Sequence, residues 1–182
     1  MNQPIRMASL IAAPGASFEQ PFEMLQACHE RVERMLTLLQ RLREYLPGHG
    51  ADEKAQQAAR DVMRYFDIAA PHHHQDEELH VFPPLQAQGD PTVVAVVARL
   101  QADHVQMEAR WHEARKVLDA VASGALPALT SENEAALDGF ARTYDEHIRA
   151  EEEIAYPAAA ALLDEPAVAA MGREMMRRRG VG

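Results

Sequence analysis

Apolar residues return at steps of three and four along most of this chain, the spacing of one face of an α-helix. In the first stretch Phe22, Leu25, His29, Val32, Leu36, Leu39 and Leu42 form such a stripe. It predicts a helix from about Phe18 to Leu46, stopped by Pro47-Gly48-His49-Gly50. A second helical stretch covers Ala51 to Gln88, with Pro71 inside it and Pro83-Pro84 and Gly89 at its close. A proline inside a helix removes a hydrogen bond and crowds the preceding turn, so a bend is expected near Ala70. The third stretch follows Asp90-Pro91, an N-cap and a first-turn proline, and runs to Ser123-Gly124. Its stripe is Val94, Val97, Leu100, His104, Met107, Trp111 and Leu118. The fourth begins near Thr130-Ser131, where Ser131 and Glu134 have capping-box spacing, passes Pro157 and ends near Leu163. Pro166 opens a short tail helix ending in Arg177-Arg178-Arg179-Gly180, read as a solvated basic end that complements the helix dipole.

Four long amphipathic helices joined by short loops predict an all-α protein, an up-down antiparallel four-helix bundle with a short C-terminal helix. The expected divisions are an N-terminal arm at 1–17, the bundle at 18–163 and the short helix and tail at 164–182. Composition agrees: Val, Ile and Thr are sparse beside Ala, Leu, Glu, Gln, Met and Arg, and 182 residues suit one domain. A formal net charge of −10 argues against broad attraction to nucleic acid or anionic lipid. The single cysteine, Cys28, excludes an internal disulfide framework and a Cys-rich zinc site. No apolar run reaches the roughly 18–20 residues of a membrane span. The short run Met7–Ala13 is closed by Pro14-Gly15 and reads as part of the arm, which favours a cytoplasmic protein.

An internal repeat adds to this picture. Phe66, His73, Glu77, Glu78 and Pro83 recur as Phe140, His147, Glu151, Glu152 and Pro157, each 74 residues later (140 against 66). His29 and His104 match at a shift of 75. Two helical hairpins related in this way place equivalent residues around one bundle centre.

The chemistry lies in a histidine followed four positions later by glutamate. The pair occurs as His29/Glu33, His73/Glu77, His104/Glu108 and His147/Glu151, once on each long helix. Four residues advance a helix by roughly 400°, so both side chains leave one face about a turn apart. A lone pair of this kind is most often a surface ion pair. Four copies, three with the histidine on an apolar stripe, point instead to a buried metal site, because unpaired buried carboxylates need compensating cations. Imidazoles then serve as terminal ligands and carboxylates bridge two ions. Among the consecutive His72, His73 and His74, the His73/Glu77 register shares a face with Val62, Phe66 and Ala69. His72, His74 and Glu78 are left to the rim, and His80 and His49 to the surface.

With these residues in view, the sequence resembles the hemerythrin-like, HHE cation-binding family, bacterial type. The matching words are Cys28-His29-Glu30-Arg31-Val32-Glu33, His72-His73-His74-Gln75-Asp76-Glu77-Glu78 running into Val81-Phe82-Pro83, Asp103-His104, and His147-Ile148-Arg149-Ala150-Glu151-Glu152 running into Tyr156-Pro157. The resemblance spans about Phe18 to Leu163. It implies two non-haem iron ions, Fe2+ or Fe3+, bridged by carboxylates and by oxo or hydroxo. It makes His29, His73, His104 and His147 iron ligands and Glu77 and Glu151 the bridges.

The chain departs from oxygen-carrying hemerythrins, whose third helix supplies two histidines four residues apart. Here His104 is followed by Glu108. As a ligand, Glu108 would be anionic, would stabilise ferric iron and would favour oxygen activation over reversible binding. His112 is a further candidate for the missing histidine. Glu33 reads as a solvated carboxylate. Tyr144, one turn before His147, is either a hydrogen-bond donor to the centre or a core residue. Trp111, Phe66 and Phe140 read as packing that keeps the site dry, and Cys28 as a packed thiol. The metal set is thus His29, His73, Glu77, His104, Glu108, His147 and Glu151. The expected function is binding of dioxygen or a related diatomic or peroxide for sensing, storage or scavenging of oxygen, nitric oxide, peroxide or iron. A di-iron oxidase or peroxidase is the alternative, and a zinc-binding or metal-free interaction bundle the third.

Overall fold

A computed structural model of the chain describes residues 17–88 and 90–181. The apolar run of the N-terminal arm and Gly89 lie outside the described residues. The described residues form helices and turns, with no strand among them. Helix α1 spans Pro21–His49, α2 Glu53–Asp76, α3 Phe82–Gln88, α4 Pro91–Ala122, α5 Ser131–Ala141, α6 Asp145–Ala150, α7 Tyr156–Leu162 and α8 Glu165–Arg178. Two π-helical turns, Glu77–Val81 and Glu151–Ala155, join α2 to α3 and α6 to α7. No described helix is long and apolar enough to cross a membrane.

The ends follow local chemistry, with some departures from the expected boundaries. Helix α1 runs through Pro47 and stops at Gly50, whose φ of 67° lets its N–H reach back to Leu46 O at 2.8 Å. Asp52, Asp90 and Asp164 cap α2, α4 and α8 by accepting from backbone N–H groups. The capping box of α5 is Thr130 with Asn133 rather than Ser131 with Glu134. The fourth long helix is interrupted at residues 142–144, where the Thr143 hydroxyl donates to Phe140 O at 2.7 Å and competes with helix continuation.

Pro71 does not break α2; the departure from α geometry falls later, at the π turns. Each turn begins at a glutamate and is followed by an aromatic residue and a proline, Phe82-Pro83 and Tyr156-Pro157. Proline has no N–H to return to the preceding turn. The residue before it bonds five positions back, Phe82 N–H to Glu77 O and Tyr156 N–H to Glu151 O. The widened turns therefore sit at equivalent places in the two hairpins, a feature common at functional sites.

The buried apolar residues divide into two clusters. One contains Val32, Phe66, Met107, Phe140 and Tyr144, the other Leu25, Val81, Leu100, Ala150 and Tyr156. Each helix that crosses between them carries a buried histidine at the crossing: His29, His73, His104 and His147. A polar layer thus separates two apolar ends of the bundle.

Helix α8 closes the second end through Met171 and Met175. Gly172 is required there, since a Cβ at that position would lie 1.8 Å from Phe18 O. The basic tail is not a solvated end. Arg179 is buried and forks onto the buried Asp76 carboxylate, with Nη1 at 3.0 Å and Nη2 at 2.5 Å. Arg178 Nη1 adds a contact to Asp76 at 2.9 Å, and His80 meets Glu174 at 2.7 Å.

Candidate metal centre

Glu77 and Glu151, each at the first position of a π turn, are fully buried at the centre of the polar layer. Around them lie two four-residue groups that share both glutamates. His29, His73, Glu77 and Glu151 form one; Glu77, His104, His147 and Glu151 form the other, with donor atoms all within 4.8 Å of one another in each group. On the first side His29 Nε2 is 3.0 Å from His73 Nε2 and 3.1 Å from Glu151 Oε2. On the second His147 Nε2 is 2.8 Å from Glu151 Oε1, and His104 Nε2 is 3.4 Å from Glu77 Oε2.

The outer nitrogens of three histidines are held by carboxylates. His29 Nδ1 pairs with Glu152 at 2.8 Å, His104 Nδ1 with Glu78 at 2.9 Å and His147 Nδ1 with Asp103 at 3.4 Å. Such partners fix the ring and its tautomer and turn Nε2 inward as a donor, the arrangement found behind metal-bound imidazoles. Tyr156 O–H donates to Glu77 Oε1 and lies 3.2 Å from His29 Nε2, closing the first side.

The charge balance calls for cations. Among the described residues, Glu77 Oε2, both Glu151 oxygens and Nε2 of His104 and His147 are buried, meet only one another and the His29 ring at ion-pair distances, and make no well-aligned hydrogen bond. Carboxylate lone pairs kept dry with so few aligned donors cost a few kcal/mol each unless positive charge sits among them. Protons respond to the same field. Burial alone would lower the His29 and His104 pKa values, yet bonding to Glu151, reinforced by Glu77, pushes them up to about 9 and about 10. Burial alone would raise Glu151, and His104, His147 and His29 hold it well below the carboxylate range. His73, with weaker charged contacts, is lowered by burial. A mixed imidazole and carboxylate donor set fits divalent first-row transition metals. Loading such ions would displace the ring protons.

The hemerythrin HHE cation-binding domain matches residues 20–159 of the sequence. The chain belongs to this family. An uncharacterized protein of Haemophilus influenzae is 30% identical over 166 residues, covering 91% of this chain and 94% of the relative.

Of the seven metal-ligating residues expected from sequence, this hemerythrin domain brings six together: His29, His73, Glu77, His104, His147 and Glu151. Glu108 stands apart, exposed on α4 at the rim of a neighbouring cavity. His112 is exposed as well. The additional histidine is His74, whose donor atom groups with those of His104 and His147. It stacks on His104 with ring centroids 4.1 Å apart. Adjacent helical residues diverge by about 100°, so His73 and His74 serve opposite sides of the cluster from one helix. The signal was the His-His doublet itself.

Tyr156, not Tyr144, supplies the hydroxyl at the centre; Tyr144 packs against Phe66 and Phe140. Glu78 holds the outer nitrogen of His104, and Glu33 is exposed. Cys28 is a packed thiol, its pKa pushed up to about 12 by burial and by Asp76.

Proposed function

We propose that this protein is a hemerythrin-like non-haem di-iron protein that interacts with dioxygen or a related small molecule. His29 and His73 would hold one ion, His104 and His147 the other, with His74 beside the second and Glu77 and Glu151 bridging. The observation that carries this reading is the pair of buried donor groups sharing both glutamates. The crossing histidines also support the up-down four-helix topology, because the chain passes between the two apolar clusters in alternating directions: Leu25 to Val32, Phe66 to Val81, Leu100 to Met107, Tyr144 to Ala150. On this reading the bundle occupies 18–163 and works in the cytoplasm.

Bound iron would supply redox and ligand-binding chemistry; the side chains hold and tune it. Tyr156 donates a hydrogen bond to Glu77 Oε1, and the two apolar clusters cover the polar layer at both ends. The oxidase alternative needs an anionic ligand at Glu108. With Glu108 at the surface and a neutral imidazole at His74, the donor set favours binding and sensing over oxygen activation.

The direct test is anaerobic ferrous loading, metal counting and optical absorption as oxygen is admitted and then removed. Two irons per chain and a band that appears with oxygen and fades under argon are expected. An irreversible spectral change with oxygen consumption points to the oxidase instead. Two-metal loading retained in the His73→Ala/His147→Ala double variant overturns the site.

A further inference from the structure

Beside the His74 and His104 side of the cluster lies a cavity of about 520 Å³, open to the exterior. A diatomic gas needs a small fraction of that space. The volume and composition are those of pockets that hold organic molecules, apolar and aromatic walls with a few polar groups. Trp111 and Pro71 form its accessible wall, the buried Phe66 and Tyr144 lie behind them, and His74 and His104 form the inner end.

The polar groups at the open end carry a sign, whereas at the inner end His104 and its partner Glu78 offset one another. Three carboxylates line the cavity, Asp67, Glu78 and Glu108, and no lysine or arginine does among the described residues. Two of them are already engaged. Asp67 accepts from Trp111 Nε1 at 3.0 Å and from Arg115 Nε at 2.9 Å. Glu78 is held by His104 Nδ1 at 2.9 Å and by Gln101 Nε2 at 2.7 Å. Glu108 is exposed and lines the cavity at its rim. Aromatic faces next to a carboxylate attract a cation twice, through the ring quadrupole and through the charge.

We propose that this cavity binds a small aromatic amine or similar flat organic cation, its ring against Trp111 and its charge toward Glu108. The inference extends the metal-centre reading, since the inner wall is His74 and His104, but the binding itself needs no metal. Glu108 thereby has a role as a ligand-selecting carboxylate at the entrance rather than as a metal ligand.

The test uses the emission of Trp111, the chain's single tryptophan, as a direct report from the cavity wall. Full-length protein, both as purified and after chelation, is titrated with 2-phenylethylamine, 2-phenylethanol and 3-phenylpropionate. The amine should give a saturable change in both samples and bind about fivefold or more tighter than the carboxylate, a difference that shrinks in high salt. Glu108→Gln should reduce that preference and Glu108→Lys should invert it, both at an exposed position that leaves folding intact. Equal affinity for the three compounds, no saturable change, or an unaltered preference in Glu108→Lys overturns the proposal. Failure of the di-iron reading shows instead as fewer than two irons per chain, with the fluorescence titration unchanged.

Discussion

The two sides of the polar layer are built from the same residue types, yet their surroundings differ. His29 and His73 are covered by Tyr156, whose hydroxyl bonds Glu77. Asp76, the residue before Glu77, is clamped by two arginines from the chain's end. His104 and His147 share their side with His74, and His74 and His104 front a cavity of about 520 Å³. A repeat-derived site therefore need not be symmetric in use. On the proposed two-ion reading, one side is suited to holding an ion and the other to exchanging ligands with the exterior.

The largest effect is expected from breaking the closed side at its base. Asp76→Ala leaves Arg178 and Arg179 without their shared carboxylate, and Arg179 is buried. Losing one partner of a buried pair costs about 3–5 kcal/mol, to be read from urea unfolding. Replacing both partners, Asp76→Leu with Arg179→Met, should recover most of it. A loss under about 1 kcal/mol for Asp76→Ala would mean that the clamp does not hold the closed side.

Tyr156→Phe sharpens the contrast within the centre. It deletes the hydroxyl on Glu77 while keeping the ring that stacks on His29. Loss of such a hydrogen-bonding partner weakens metal binding by about 10–100-fold, and the loss should fall on the His29/His73 ion. Chelator competition should then remove one ion well before the other; simultaneous loss of both contradicts the division. His74→Ala acts on the open side, where the four-residue group of Glu77, His104, His147 and Glu151 remains. A smaller weakening, about tenfold, is expected for the other ion alone.

How much of this was readable in advance depends on the range of the interaction. Helix periodicity, the proline and glycine stops and the repeat are local signals, and six of the seven expected site residues meet in one cluster. The i,i+4 rule that paired His73 with Glu77 also put Glu108 with His104, because spacing on one helix says nothing about which neighbour fills the opposite wall. That place went to His74, from α2. The break at residues 142–144 depends on a threonine hydroxyl choosing a backbone carbonyl, which no stripe encodes. Tyr156 on Glu77 and Arg179 on Asp76 join residues 79 and 103 positions apart, visible only once the helices pack.

The smallest effect concerns the outer fastening of α8, which meets the closed side from outside. Glu174 accepts from Arg178 and pairs with His80 at 2.7 Å. Its hydrogen bond from Arg178, aided by His80, lowers its pKa from 4.5 to about 2. A carboxylate depressed in the folded state stabilises it above the unfolded value and loses that contribution as pH falls from about 4.5 toward about 2. The group is partly exposed, so the gain is at most about 1 kcal/mol after screening. Protection of α8 amides relative to their intrinsic exchange rates should therefore fall over that acid window in the native protein, and Glu174→Gln should flatten the response by removing the titrating group. A fall in protection that persists unchanged in the variant would move the acid sensitivity elsewhere. The buried Arg179 fork would then stand as the main fastening of this helix, and the closed side would depend on it rather than on the surface pair.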